Sequence, residues 1–211
     1  MRRIWRENSL SIVLFFLFAT VLMGQIGVGR AEYNHERSER GQPPLSLAPY
    51  LTSGHFIEAT FENWESEFLQ IAAYVLLTIF LRQKGSPDSK KLEGDDPFDE
   101  PSKNPRGLGA APKWLYENSL TLALLTLFLI SFGLHGAGGM HLYNEEQAAK
   151  GEETVSLLGF LGTSRFWFQS FQNWQSEFLS VGVLVIFTIF LRQKGSPESK
   201  PVDAANEETG G

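Results

Sequence analysis

Polar side chains follow helical spacing in a predicted helix of each half of the chain. Asn63, Glu67 and Gln70 recur at i, i+4 and i+7, which places them on one face of a helix, and Asn173 and Glu177 hold matching places later in the chain. A carboxylate among apolar residues can bind a cation or relay a proton, because poor hydration disfavours its charged form. The pattern therefore predicts a functional polar stripe.

Two interpretations of Glu67 and Glu177 stand side by side. In one, the carboxylates meet inside a helix bundle and form a relay; in the other, both lie hydrated or hydrogen-bonded at the outer interface and fix helix packing. Gln25 and His135 are candidate hydrogen-bond partners at similar depth. A metal site of His135, His141 and Glu177 is disfavoured, because the histidines are six residues apart rather than four. The sequence thus predicts no metal and no cofactor.

Uncharged stretches indicate where helices cross a membrane. Residues 8–29 and 118–144 carry no charge and exceed the roughly 20 residues that a transmembrane helix needs. The uncharged runs 68–81 and 178–191 are shorter, and they fill a span only if Glu67 and Glu177 lie at or below the membrane boundary. The predicted spans are about 8–29, 61–82, 118–140 and 168–192. The predicted fold class is all-α, a four-span transmembrane helix bundle.

Blocks of the first half return in the second half at a constant separation of 110 residues. ENSL at Glu7, FENWESEFL at Phe61 and TIFLRQKGSP at Thr78 all recur, the second as FQNWQSEFL. In this block the acids at 62 and 65 become glutamines, so those two positions do not require charge. The chain is therefore predicted to contain two tandem two-helix repeats. The predicted divisions are repeat unit 1–87, flexible cytoplasmic linker 88–111, repeat unit 112–197 and disordered tail 198–211.

Basic residues predict the orientation. The two termini and the linker carry 13 of the 18 Lys and Arg residues, and the two other loops carry 5. Cytoplasmic segments collect Lys and Arg, so both termini and the linker are expected to be cytoplasmic. A cleaved signal peptide over residues 1–31 is an alternative, but the matching segment after Pro112 is internal, where no signal peptide can lie.

The repeated FLRQKGSP block has the composition of a helix terminus. Basic side chains favour the negative end of the helix dipole, a glycine supplies a left-handed C′ position, and a proline prevents continuation. A docking motif for a cytoplasmic partner is the alternative. The predicted membrane anchors and helix caps are Arg82, Lys84, Gly85, Arg192, Lys194 and Gly195.

The motifs NWxSEF and FLRQKGSPxSK, with ENSL and an apolar helix before them in each repeat, resemble an uncharacterised family of small bacterial integral membrane proteins, a domain of unknown function. The resemblance spans nearly the whole chain. It implies a multi-pass protein of the bacterial inner membrane, and it brings no activity, ligand or site.

Composition excludes several function classes. Cysteine is absent, which excludes disulfides and thiolate metal sites, and a net charge of −6 without a basic cluster disfavours nucleic-acid binding. No nucleophile is placed with a base, so no enzyme is predicted. We expect a structural or interaction protein of the bacterial envelope, in contact with the lipid bilayer and with a homo-oligomeric or envelope protein partner. The alternative is a small proton- or cation-conducting transporter or channel that uses paired membrane-boundary glutamates.

Reporter fusions test the predicted orientation. A phosphatase that is active only outside the cytoplasm should be inactive when fused within 88–111 and active when fused within 40–53, because Lys and Arg concentrate on the cytoplasmic side. A fluorescent reporter that folds only in the cytoplasm should give the reverse pattern. An active phosphatase in the linker would overturn the assignment.

Overall fold

The computed structural model describes residues 2–94, 96–101, 103, 106–107 and 109–210, and these residues form helices and connecting turns without a strand. Of the predicted linker, positions 95, 102, 104, 105 and 108 lie outside the described residues. A short 3₁₀ turn covers Pro97–Asp99. The α-helices within the described ranges are α1 (Arg2–Glu39), α2 (Leu47–Leu51), α3 (Gly54–Phe80), α4 (Ala110–Glu117), α5 (Ser119–Lys150), α6 (Leu157–Leu161) and α7 (Ser164–Phe190).

Among the described residues, three helices are long and apolar enough to cross a membrane. They cover Arg3–Glu39, Ser119–Lys150 and Ser164–Phe190, that is α1, α5 and α7. Helix α3, which contains the predicted span 61–82, does not meet the same condition. Its first half carries the four carboxylates of Glu58, Glu62, Glu65 and Glu67, whereas α7 has glutamine at the positions that match 62 and 65. The fourth span stays a prediction.

The described chain divides into two compact units. Unit 1 consists of Met1–Phe61 and Leu134–Phe166, and unit 2 consists of Glu62–Gly133 and Trp167–Gly211. Each unit therefore draws residues from both halves of the sequence. This division follows spatial contact, and it differs from the division by sequence repeat.

Aromatic residues form the core of unit 1. Tyr33 and Tyr50 are buried together with Leu142, and the ring centroids of the two tyrosines lie 6.3 Å apart. Tyr50 belongs to α2, which packs against α1. Burial of large aromatic side chains supplies much of the apolar area that stabilises a small unit. Partly buried side chains of Ile26, Leu45 and Phe56 complete this core.

Two asparagines attach the extended segments that follow α1 and α5. The Asn34 amide donates to the Leu45 carbonyl at 3.0 Å and accepts from the Leu45 N–H at 2.7 Å. Asn144 makes the same pair with Val155, at 2.9 and 2.8 Å. A side-chain amide that bonds both groups of one residue replaces a short piece of backbone pairing. The asparagines, which stand 110 residues apart like the repeated blocks, thus have a common structural explanation.

Glycines allow α3 and α5 to approach closely in unit 1. A Cβ atom on Gly54 would lie 2.6 Å from the Gly138 carbonyl oxygen, and one on Gly138 would lie 2.6 Å from the Glu58 backbone nitrogen. Both distances are far below van der Waals contact, so the two helices touch backbone to backbone at this point. Gly138 therefore permits the close packing of α5 against α3.

The FLRQKGSP block forms a turn whose geometry differs from the predicted cap. Helix α3 ends at Phe80, and Gly85, whose φ is +85°, lies five residues later rather than at C′. The helix stops early because the Gln83 N–H donates to the Ser89 side chain at 2.9 Å instead of to a helical carbonyl. Gly195, at φ +86°, is placed likewise after α7. The glycines serve this turn, which corrects the prediction that they occupy C′.

The same turn follows α7. The Gln193 N–H donates to the Ser199 side chain at 2.8 Å, and the Ser196 N–H donates to the Gln193 carbonyl at 3.1 Å. Residues 198–210, predicted to be disordered, continue as turns that return to the segment after α3: the Gly85 N–H donates to Thr209 Oγ1 at 2.8 Å. In unit 2 these two segments therefore pack together.

We expect Gly138→Ala to destabilise the protein by about 1–3 kcal/mol, because the added methyl group forces α3 and α5 apart. Thermal unfolding of the purified protein in detergent measures this change. Gly133→Ala is the matched control, since a Cβ atom there meets no atom within 4 Å. Alanine should leave that variant as stable as the parent or slightly more stable. Equal melting temperatures for all three proteins would contradict the close approach.

Candidate functional site

An arginine joins two carboxylates in unit 1. Arg165, in the first turn of α7, places Nη1 2.6 Å from Glu146 Oε2 and Nη2 3.3 Å from Glu146 Oε1, a two-point contact with α5. Its Nη2 lies 3.9 Å from Oε1 of Glu58 on α3, a residue only 4% exposed. The guanidinium carbon also lies 5.8 Å from the centroid of the Tyr143 ring. Arg165 therefore links three helices at one point.

A second polar cluster in unit 1 surrounds Tyr33. The Tyr33 hydroxyl donates to Glu145, and its ring stacks on the His55 ring at 4.7 Å. The Tyr50 hydroxyl lies 3.5 Å from His55 Nδ1. Burial lowers the pKa of His55 and raises the pKa of Tyr50, so both side chains stay uncharged at neutral pH. The Glu145 carboxylate and the Arg37 guanidinium, whose carbon lies 5.7 Å from the centroid of the Tyr33 ring, bring charge to this cluster.

The predicted partners Gln25 and His135 both lie in unit 1. The Gln25 amide donates to the Thr60 hydroxyl at 3.3 Å. His135 is fully buried, and its ring lies 4.8 Å from the Phe166 ring. In the described part of the chain, no group of three or more His, Asp or Glu side chains is placed to hold a metal ion.

In unit 2, two carboxylates of α3 meet polar side chains of α7. Glu65 is fully buried, and the Ser170 hydroxyl donates to its Oε1 at 2.9 Å. One turn away, the Asn173 amide donates to Glu62 Oε1 at 2.5 Å. The predicted stripe residue Asn173 thus contacts Glu62, a residue to which the sequence comparison gave no weight. Hydrogen bonds of this kind hold helices together where water is scarce.

Glu67 and Glu177, the residues favoured from sequence, belong to unit 2. Glu67 is exposed and Glu177 is half-buried. Asn63 is exposed, and Gln70 lines a cavity. Within the predicted stripe, Asn63 and Glu67 are therefore exposed, whereas Gln70 lines a cavity.

One cavity in unit 2, between α3, α7 and the turn after α3, has a volume of about 320 Å³. Gln70, Tyr74 and Thr78 of α3 line it, and the Tyr74 hydroxyl donates to Asp88 Oδ2 at 3.3 Å. Arg82 also lines it. The cavity thus extends from the stripe residue Gln70, along Tyr74 and Thr78, to the turn after α3.

The predicted anchors differ in their contacts. Arg82 donates to the carbonyls of Ile79 and Leu81, both at 3.3 Å, which caps the end of α3. Arg192 donates to the Ile189 carbonyl at 3.1 Å and to the Ala204 carbonyl at 2.8 Å. The two predicted lysine anchors, at 84 and 194, are exposed. The arginines are therefore the capping side chains.

The acids that make the best-defined contacts were missed from sequence, although a signal was present. Glu58, Glu62 and Glu65 also follow the i, i+4, i+7 rule, five positions before Asn63, Glu67 and Gln70, so they form a separate face of α3. Glu67 and Glu177, in contrast, are the same residue in both repeats. A contact between α3 and α7 joins one residue of each helix, and these two residues do not hold equivalent positions in the two repeats. Identity between the repeats therefore does not reveal such a contact.

Comparison with known proteins identifies the family. The family model described as Domain of unknown function (DUF6766) matches residues 1–211. The resemblance inferred from the sequence motifs is thus confirmed at the level of the family. No curated protein and no solved structure matches the chain.

The contact between Arg165 and Glu58 predicts coupled effects on stability. Arg165→Met should cost about 2 kcal/mol, because the charge-assisted hydrogen bonds to carboxylates are lost. Combined with Glu58→Gln, the loss should be smaller than the sum of the two single losses, since each variant removes the same interaction. Denaturant titration in detergent measures the four proteins of this cycle. Strictly additive losses would show that the two residues do not interact.

Proposed function

Since the chain belongs to the DUF6766 family of domains of unknown function, we propose a function from the contacts of its own side chains. The protein is a multi-pass protein of the bacterial inner membrane that acts as a structural or interaction protein and not as an enzyme. It spans the membrane four times through two tandem two-helix repeats, with both termini cytoplasmic. Its partner is an envelope protein or a second copy of the chain.

The pairing of the buried carboxylates carries this proposal. Glu58 is placed beside Arg165, and Glu65 accepts a hydrogen bond from Ser170. A carboxylate that serves transport has to exchange its proton or cation with water, whereas these groups are held against neighbouring helices. Their contacts support a rigid scaffold.

The extended segments after α1 and α5 support an interaction role. Asn34 and Asn144 attach these segments to the preceding helices, and much of 40–49 and 151–158 is exposed. A fixed and exposed segment can present side chains to a partner at little cost in conformational entropy. The distribution of Lys and Arg supports placing these segments outside the cytoplasm.

Proton or cation conduction is the second candidate, and one observation favours it. Glu67 and Glu177 both belong to unit 2, and Gln70 and Tyr74 continue the polar face of α3 toward Asp88. Two neighbouring carboxylates are a suitable station for one shared cation or proton. In this case the protein would act as an oligomer, because four helices enclose little space.

Flux measurements separate the two candidates. The purified protein is reconstituted in liposomes with a pH-sensitive dye inside, and a membrane potential is imposed. A scaffold should give the same proton leak as empty liposomes, both for the parent protein and for the variant with Glu67→Gln and Glu177→Gln. A leak well above that of empty liposomes, abolished in this variant, would replace the scaffold proposal with conduction.

Photo-crosslinking in native membranes tests the interaction role directly. A photoreactive amino acid at exposed positions within 40–49 or 151–158 should give a discrete adduct, which mass spectrometry identifies. The same amino acid at the buried Leu142 is the matched control and should give none. The adduct should persist in the double glutamine variant. Absence of an adduct from every exposed position would contradict the interaction role.

A further inference from the structure

The cavity between α3, α7 and the turn after α3 has no part in the scaffold role. Its volume of about 320 Å³ lies at the lower end of the roughly 300–1,000 Å³ of small-molecule sites. Residues from the second half of α3, from the middle of α7 and from the turn after α3 line it. It therefore offers a pocket with walls made by helices and one end made by a polar turn.

The walls are apolar. Leu77 and Leu81 of α3 line one part, and Phe178, Val181 and Val185 of α7 line another. Helix α7 is long and apolar enough to cross a membrane, so these walls lie at a depth where hydrocarbon chains are the abundant ligand. A fully polar solute would lose its hydration against these side chains without gaining hydrogen bonds. The walls fit an acyl chain.

The polar end carries one charge of each sign. Arg82 and Asp88 both line the cavity, and Asp88 accepts a hydrogen bond from the Tyr74 hydroxyl at 3.3 Å. The competing acid for Arg82 is Asp99, at 3.8 Å from Arg82 Nη2, and Asp99 also accepts from Lys90. Arg82 is therefore held only weakly by Asp99, at the limit of ion-pair distance.

We propose that this cavity binds a membrane phospholipid whose headgroup carries both a phosphate and a primary ammonium. The acyl chain packs between α3 and α7, Arg82 binds the phosphate, and Asp88 binds the ammonium. The proposal rests on the proposed function to the extent that α3 spans the membrane. It adds a ligand that the scaffold role does not require.

The charges select this headgroup over simpler ones. A headgroup with only a phosphate would gain Arg82 but would face the Asp88 carboxylate, and a lipophilic cation would meet the opposite conflict. Like charges placed side by side in a partly dehydrated site are costly. A zwitterion of matching polarity satisfies both side chains.

Native mass spectrometry of the purified protein tests the proposal. Phosphatidylethanolamine, added to the detergent-solubilised protein, should bind about tenfold more tightly than phosphatidylglycerol of the same chain length, because only the former has an ammonium for Asp88. Asp88→Asn should abolish this preference. Asp203→Asn is the control: Asp203 is an exposed acid of the segment after α7, does not line the cavity, and should leave the preference unchanged when it is replaced.

A second variant tests the place of binding. Gly182 lines the cavity, and a Cβ atom built there meets nothing within 4 Å, so Gly182→Leu fills the cavity without a clash at Cβ. This variant should lose phosphatidylethanolamine binding and keep the melting temperature of the parent measured without added lipid. Equal binding of the two lipids by the parent protein, or full binding by Gly182→Leu, would overturn the proposal.

The outcome is independent of the scaffold proposal. Crosslinking and flux decide the function, and reporter fusions on either side of α3 decide whether this helix spans the membrane. Lipid preference is measured on the purified protein and is tested with Asp88→Asn and Gly182→Leu, neither of which changes the segments used for crosslinking. A failed crosslink therefore leaves the lipid result standing, and a failed lipid preference leaves the scaffold standing.

Discussion

A carboxylate that is buried between helices requires a partner, because an isolated charge in apolar surroundings costs several kcal/mol. Helix α3 brings Glu58 and Glu65 into that situation. In unit 1 the guanidinium of Arg165 lies beside Glu58, and in unit 2 the hydroxyl of Ser170 binds Glu65. Both partners come from α7. In each unit, the contact with a buried carboxylate of α3 therefore helps to hold α7 beside α3.

Small residues make this arrangement possible in unit 1. The backbone of α3 lies against that of α5 at Gly54 and Gly138, and the Glu58 backbone is part of this contact. The close approach places Glu58 where Arg165 can contact both it and Glu146 on α5. Packing and charge pairing therefore depend on each other: a larger residue at 138 would separate the groups that the arginine joins.

The turn after α3 links the fold to the proposed lipid site. Ser89 accepts the Gln83 N–H, which ends the helix and directs Asp88 toward the Tyr74 hydroxyl. The equivalent turn after α7 uses Ser199 in the same way. Local hydrogen bonds thus account for the serines of the repeated motif. The first of the two turns also lines the cavity of the proposed lipid site, together with side chains of α3 and α7.

The sequence by itself determined the helical class, the family and most of the helix positions. Uncharged stretches and periodic apolar residues are local properties, and a constant separation of 110 residues reveals the duplicated blocks without any coordinates. Only the tertiary structure decided which acids are paired. Glu58 and Arg165 are 107 residues apart in sequence, and Glu65 and Ser170 are 105 residues apart. These contacts arise between different helices, whose side chains need not match in the two repeats, so neither periodicity nor repetition predicts them.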